Sequence, residues 1–145
     1  DLTAGGLTRG KLVAFHTAHK LLLMAHSPKH YTEMGRLVAD AKTLAPRELE
    51  SRYGALFMAG LKVKATAKKH VNVLQHILGY LKRDLDDDAK AELLAVIGDY
   101  RRELVPLVVP LTLLKHHLAR VGVPYVQDQV YLYPHPKELM LRNHV

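Results

Sequence analysis

The sequence predicts an all-α fold: a compact bundle of about six helices plus a short C-terminal helix, with an extended Pro/Tyr-rich segment packed across its surface. Three observations lead there. Apolar residues recur at helical spacing through most of the chain, as in Val71, Leu74, Ile77, Leu78 and Leu81. Helix-starting residues punctuate that pattern at Ser27-Pro28, Pro46, Thr66 and Asp86. Strict alternation is confined to one late stretch, and a lone extended segment cannot build a sheet.

The first helix runs from Arg9 to about His26 behind a Thr8 cap. Ser27 then offers a capping oxygen and Pro28 a first-turn residue that needs no N–H partner, so a second helix runs to about Lys42. Pro46 with Glu48 opens a third, to about Leu61. Thr66 caps a fourth that ends near Arg83, where Lys82 and Arg83 complement the negative end of the helix dipole. Asp86, Asp87 and Asp88 suit the positive end of a fifth, to about Leu104. A sixth begins at Pro106 or Pro110 and continues to about Arg120; Pro110, if interior, removes a backbone hydrogen bond and kinks it. In GVPYVQDQVYLYPHP, Val126, Asp128, Val130 and Leu132 oppose Gln127, Gln129, Tyr131 and Tyr133, which predicts the extended segment. A short helix from Pro136 to about Leu141 closes the chain. Residues 1–8, with Gly5 and Gly6, read as a linker remnant, and 9–145 as a single helical domain.

A chain of 145 residues buries roughly 70% of the surface its unfolded form exposes, enough for a real core. Its longest apolar run, Leu21 to Ala25, is far too short to span a membrane, and no signal-peptide pattern opens it, so the expected location is cytoplasmic. Cysteine is absent, which excludes disulfides, thiolate nucleophiles and iron–sulfur ligation within these residues. The net charge of +7 favours a polyanionic partner. Its distribution says more: Arg52 to Arg83 holds seven basic residues and no acidic one, whereas Asp84 to Glu103 holds seven acids against three bases. Two adjoining segments of opposite sign would turn one face toward a nucleic acid and another away.

Histidine is concentrated in FHTAHKLLLMAHSPKHY, Phe15 to Tyr31, which carries four of the chain's ten. On a continuous helix Arg9, His16, His19 and Lys20 fall within an arc of about 100°, a basic and imidazole-bearing stripe with His26 at its margin. The spacing of His16 and His19 suits two ligands of one metal, but neither HExxH nor Glu-x-x-His accompanies them. A hydrogen-bonded, partly buried histidine pair and a polyanion-contacting stripe are the other two readings. The fourth helix presents Lys68, Asn72, Gln75, His76, Gly79, Lys82 and Arg83 on one polar face, and Lys62, Lys64 and Lys69 stand around its start, where a helix N-terminus already attracts phosphate. A merely solvated face is the plain alternative. His70 falls among the apolar residues, the usual place of a bonded core histidine. Tyr125, Tyr131 and Tyr133 are either anchors for the late segment or stacking surfaces for unpaired bases. The two serines, Ser27 and Ser51, occupy no nucleophile elbow, and no phosphate-cradling glycine motif occurs.

Four strings in order, FHTAHKLLLMAHSPKHYTEMGRLV, KKHVNVLQHILGYLK, YRRELVPLVVPLTLLKHHL and PYVQDQVYLYPHPKELMLRNHV, together resemble the YbgA-like domain, long catalogued as a domain of unknown function. The resemblance covers nearly the whole chain, from about Lys11 to Val145. It implies a domain that occurs alone or as the C-terminal part of thiouracil-desulfidase-like enzymes. There the cysteine-bearing N-terminal domain holds an iron–sulfur cluster and removes sulfur from 4-thiouridine, while the YbgA-like domain binds tRNA. On that implication this domain carries no cofactor and no catalytic residue of its own, the cluster belonging to the fused partner.

The resulting expectation is a tRNA-binding accessory domain contacting RNA through Arg9, His16, His19, Lys20, Lys62, Lys64, Lys68, Lys69, Asn72, Gln75, His76, Lys82 and Arg83. Two alternatives stand beside it. One is a small histidine-dependent enzyme in which His16, His19 and His70 converge; the other is a protein-docking module using the tail from Tyr125 to Val145.

Overall fold

The structure is a computed structural model, and it describes residues 8–133. The expected final helix, Pro136 to about Leu141, and nearly all of the expected linker remnant lie outside the described residues. Among them every regular element is helical, as the sequence predicts. The elements are α1 (Arg9–Ala18), α2 (Lys20–His26), α3 (Pro28–Ala39), a 3-10 turn (Ala41–Thr43), α4 (Pro46–Lys62), α5 (Ala67–Leu81), α6 (Asp87–Arg101), α7 (Val108–Val121) and α8 (Pro124–Gln127). By its internal packing the chain divides into two compact units, one ending at Lys64 and the other beginning at Ala65.

In the first unit, α1 to α4 enclose Leu12, Leu23, Met34, Ala41, Leu49 and Tyr53, with Phe15, Tyr31 and Phe57 packed against them. The first expected helix is broken. His19 leaves helical geometry at φ −103° and ψ 6°, and its N–H is shared between the carbonyls of Phe15 (3.1 Å) and His16 (3.3 Å). The cause is the His19 side chain: its Nδ1–H donates to the Phe15 carbonyl at 2.7 Å, and its ring stacks on Phe15 with centroids 3.9 Å apart. A side chain that bonds back onto its own preceding turn competes with the helix ladder. At the next junction Ser27 Oγ accepts from the His30 N–H (3.2 Å), and Pro28 takes the first helical position. A Cβ on Gly60 of α4 would lie 3.1 Å from Cβ of His30, so the absence of a side chain there lets α3 and α4 approach.

In the second unit, α5 packs on α6 and α7, and these pack on each other. Thr66 Oγ1 accepts from the Lys69 N–H (3.2 Å), and Asp86 Oδ1 from the Ala89 N–H (2.7 Å), which starts α5 and α6 where the sequence predicts. Helix α6 stops at Arg101, short of the expected Leu104. Glu103 adopts the left-handed conformation (φ 63°), its N–H bonds the Tyr100 carbonyl (3.0 Å), and the Leu104 N–H bonds the Asp99 carbonyl (2.9 Å). This pair of reversed bonds closes a helix in the manner usually reserved for glycine. Pro110 falls in the first turn of α7, where its missing N–H has no helical partner to lose, so no interior kink is imposed.

The expected extended segment is a run of turns instead. Pro124 starts a helical turn, and i→i+3 bonds follow from Gln129 N–H to Val126, Leu132 N–H to Gln129 and Tyr133 N–H to Val130. Val126, Gln129 and Leu132 are buried, a period of three rather than two, together with Tyr131. Without a neighbouring strand, backbone groups find partners locally.

Candidate nucleic-acid interface

Helix α5 sorts its residues cleanly. Val71, Val73, Leu74, Ile77, Leu78 and Leu81 are buried, while Lys68, Asn72, Gln75, His76, Gly79 and Tyr80 are exposed and Lys69 is half-buried. At 100° per residue the latter share one broad face, and the helix carries no carboxylate. Lys82, still helical in conformation, and Arg83 follow directly, both exposed. The result is a strip of cations and amides along one helix, bounded by Thr66 at the positive end of its dipole and by Asp84 at the other. Lysine and arginine supply phosphate contacts there; asparagine, glutamine and histidine donate and accept in hydrogen bonds with sugar or base edges.

The remaining expected contacts lie in the first unit. Lys62, the last residue of α4, and Lys64 are exposed, as is Arg9 at the start of α1. The helix-one stripe requires correction. His16 is buried, and with Leu12 it forms the core-facing edge of α1, four residues apart. Its Nδ1 is hydrogen-bonded to the Tyr53 hydroxyl at 2.9 Å, and its ring stacks on Tyr31 with centroids 4.9 Å apart and planes 6° apart. Burial lowers its pKa from 6.5, with the nearby His19 acting in the same direction, so the neutral ring is favoured. Burial likewise pushes the Tyr53 hydroxyl up, assisted by Tyr31. His16 is therefore a core residue and offers no cation to an RNA. His19 and Lys20 are half-buried, His19 between Phe15 and Phe57. The sequence placed His16 on a polar stripe with Arg9; within the unbroken α1 it lies beside Leu12, and that side faces the core.

His70 repeats the pattern in the second unit: it is 1% exposed, and its Nδ1 lies 2.6 Å from the Tyr131 hydroxyl. Tyr131 itself is buried, an anchor of the late segment. The sequence held no local signal for either His–Tyr pair, because the partners are 37 and 61 residues apart. One functional candidate, Tyr80, escaped sequence reasoning, and it pairs with Tyr125, which the sequence had offered as a stacking surface. Tyr80, exposed on the α5 face, and Tyr125 have ring centroids 5.4 Å apart; the spacing of Tyr80 four residues beyond His76 was the available signal. Among the described residues no three histidine, aspartate or glutamate side chains are grouped so as to hold a metal ion, and no helix is long and apolar enough to cross a membrane.

Comparison with known proteins places the chain in a family. Residues 20–136 match the family described as "Protein of unknown function (DUF1722)". The chain is 33% identical over 139 residues to "Uncharacterized protein YbgA" of Escherichia coli (strain K12), an alignment covering 95% of this chain and 82% of that protein. No solved structure matches it significantly. With the family pattern spanning most of its length, the chain belongs to the DUF1722 family, the YbgA-like proteins.

Proposed function

We propose that the chain is an RNA-binding module, and that it presents tRNA bearing 4-thiouridine to a desulfidase domain holding an iron–sulfur cluster. The observation that supports the first part is the exposed face of α5, on which Lys68, Asn72, Gln75 and His76 lead to Lys82 and Arg83 with no carboxylate among them. The second part rests on the resemblance to domains fused behind thiouracil-desulfidase-like enzymes. In this reading the chain's own residues bind and orient the substrate, and the chemistry belongs to the partner. In the first unit Arg9, Lys62 and Lys64 are further exposed cations, and His16 leaves the footprint.

The test is equilibrium binding of thiolated and unmodified tRNA across a salt series. If Lys68, Lys69, Lys82 and Arg83 neutralise four phosphates, log K falls with log[salt] at a slope near −3 to −4, or about −2.8 on single-stranded RNA. Lys68→Glu with Lys69→Glu flattens that slope by at least about 1.4 and weakens binding several-fold. Binding that is undetectable, or indifferent to salt, refutes the reading.

A further inference from the structure

The exposed face of α5 does not end in cations alone. Tyr80 keeps 38% of its surface exposed, and so does Tyr125 of α8. Their rings stand 5.4 Å apart with planes inclined at 38°. Packing of one ring against the other limits the rotamers of both while a large part of each remains open, so less freedom is left to lose on contact with a ligand. Gly79 stands beside Tyr80. A Cβ placed there would meet nothing within 4 Å, so no neighbour in the fold requires a glycine. A glycine within a helix costs about 0.5–1 kcal/mol relative to alanine. The backbone is left bare at the one exposed position between His76 and Tyr80.

We propose that Tyr80, Tyr125 and Gly79 form a stacking platform for an unpaired nucleobase, so that this end of the α5 face takes single-stranded rather than paired RNA. The proposal rests on the RNA-binding reading above and adds its selectivity. Every base has a π face, which aromatic side chains accept irrespective of sequence, whereas bases inside a duplex are already stacked on their neighbours. Lys82 and Arg83, two and three residues beyond Tyr80, supply cations for the adjoining phosphates. His76, one turn earlier, lies on the same face.

The experiment uses the full chain and two RNA probes of one sequence, a single strand carrying 2-aminopurine and its blunt duplex, at fixed ionic strength. The single strand binds more tightly, and its fluorescence is quenched on binding. Tyr80→Leu, which keeps apolar bulk but loses the π face, weakens single-strand binding at least about fivefold and leaves duplex binding unchanged. Tyr80→Phe restores it. Gly79→Ala raises thermal stability yet weakens the single-strand complex. If Tyr80→Leu binds the single strand as the wild type does, or loses both probes alike, the platform is overturned while RNA binding stands. If the wild-type chain binds neither probe, the RNA-binding reading fails with it.

Discussion

Replacing Glu103 by glycine should stabilise the protein. Glu103 sits at φ 63°, where an L-residue pays about 1–2 kcal/mol through the clash of its Cβ with the following carbonyl. Glycine removes that clash, but its looser unfolded chain returns about 0.5–1 kcal/mol. Both reversed bonds, Glu103 N–H to Tyr100 and Leu104 N–H to Asp99, are backbone bonds that the substitution keeps. The side chain is exposed and forms no ion pair among the described residues, so little else is lost. The net gain is about 0.5–1 kcal/mol, which for a chain of this length raises the melting temperature by roughly 1–4 °C. Thermal and urea unfolding of Glu103→Gly measure it, with Glu103→Ala as the control that retains the clash and gains nothing. A glycine variant less stable than wild type, or an alanine variant gaining as much, refutes the argument from backbone strain.

Two further outcomes follow from the first unit. Gly60→Ala sets a methyl 3.1 Å from Cβ of His30 and should destabilise by about 1 kcal/mol or more despite alanine's better helix propensity, read by urea midpoint. His16, whose folded-state pKa lies below the ordinary 6.5, contributes stability that is complete above pH 6.5 and is lost as pH falls through that value toward the lowered one. Unfolding free energy measured from pH 7.5 to 5 should therefore fall more steeply in wild type than in His16→Asn; parallel pH profiles contradict the burial argument.

How far the sequence carried the structure depended on the range of the forces involved. Ser27 and Thr66 were readable as caps because a cap acts over three residues, and each oxygen is bonded as expected; Asp86, read only as a charge suited to the helix dipole, is a cap as well. The two faces of α5 were readable because burial there follows helical period. The break at His19 was not, since it depends on one imidazole turning back onto the Phe15 carbonyl. The burial of His16 was unreadable for another reason: its partners Tyr53 and Tyr31 come from other helices, and only packing shows that the Leu12 side of α1 faces the core. The late segment misled differently: a period of two and a period of three share positions 126 and 132, and only burial of Gln129 and Tyr131 separates them. Glu103 at a glycine-type position contradicts local preference outright, so only the backbone reveals where α6 ends.

The boundary between Arg83 and Asp84 has a kinetic consequence. Within the second unit the cations of α5 adjoin Asp84 and the triplet Asp86, Asp87 and Asp88 that opens α6. Juxtaposed charges of opposite sign exert a torque on an approaching polyanion, turning it before any contact forms. For a polyanionic ligand the association rate then depends on ionic strength far more than the dissociation rate does. Neutralising Asp87 and Asp88 would alter how such a ligand is turned on approach, whereas Asp86 also caps α6, so steering and folding share that carboxylate.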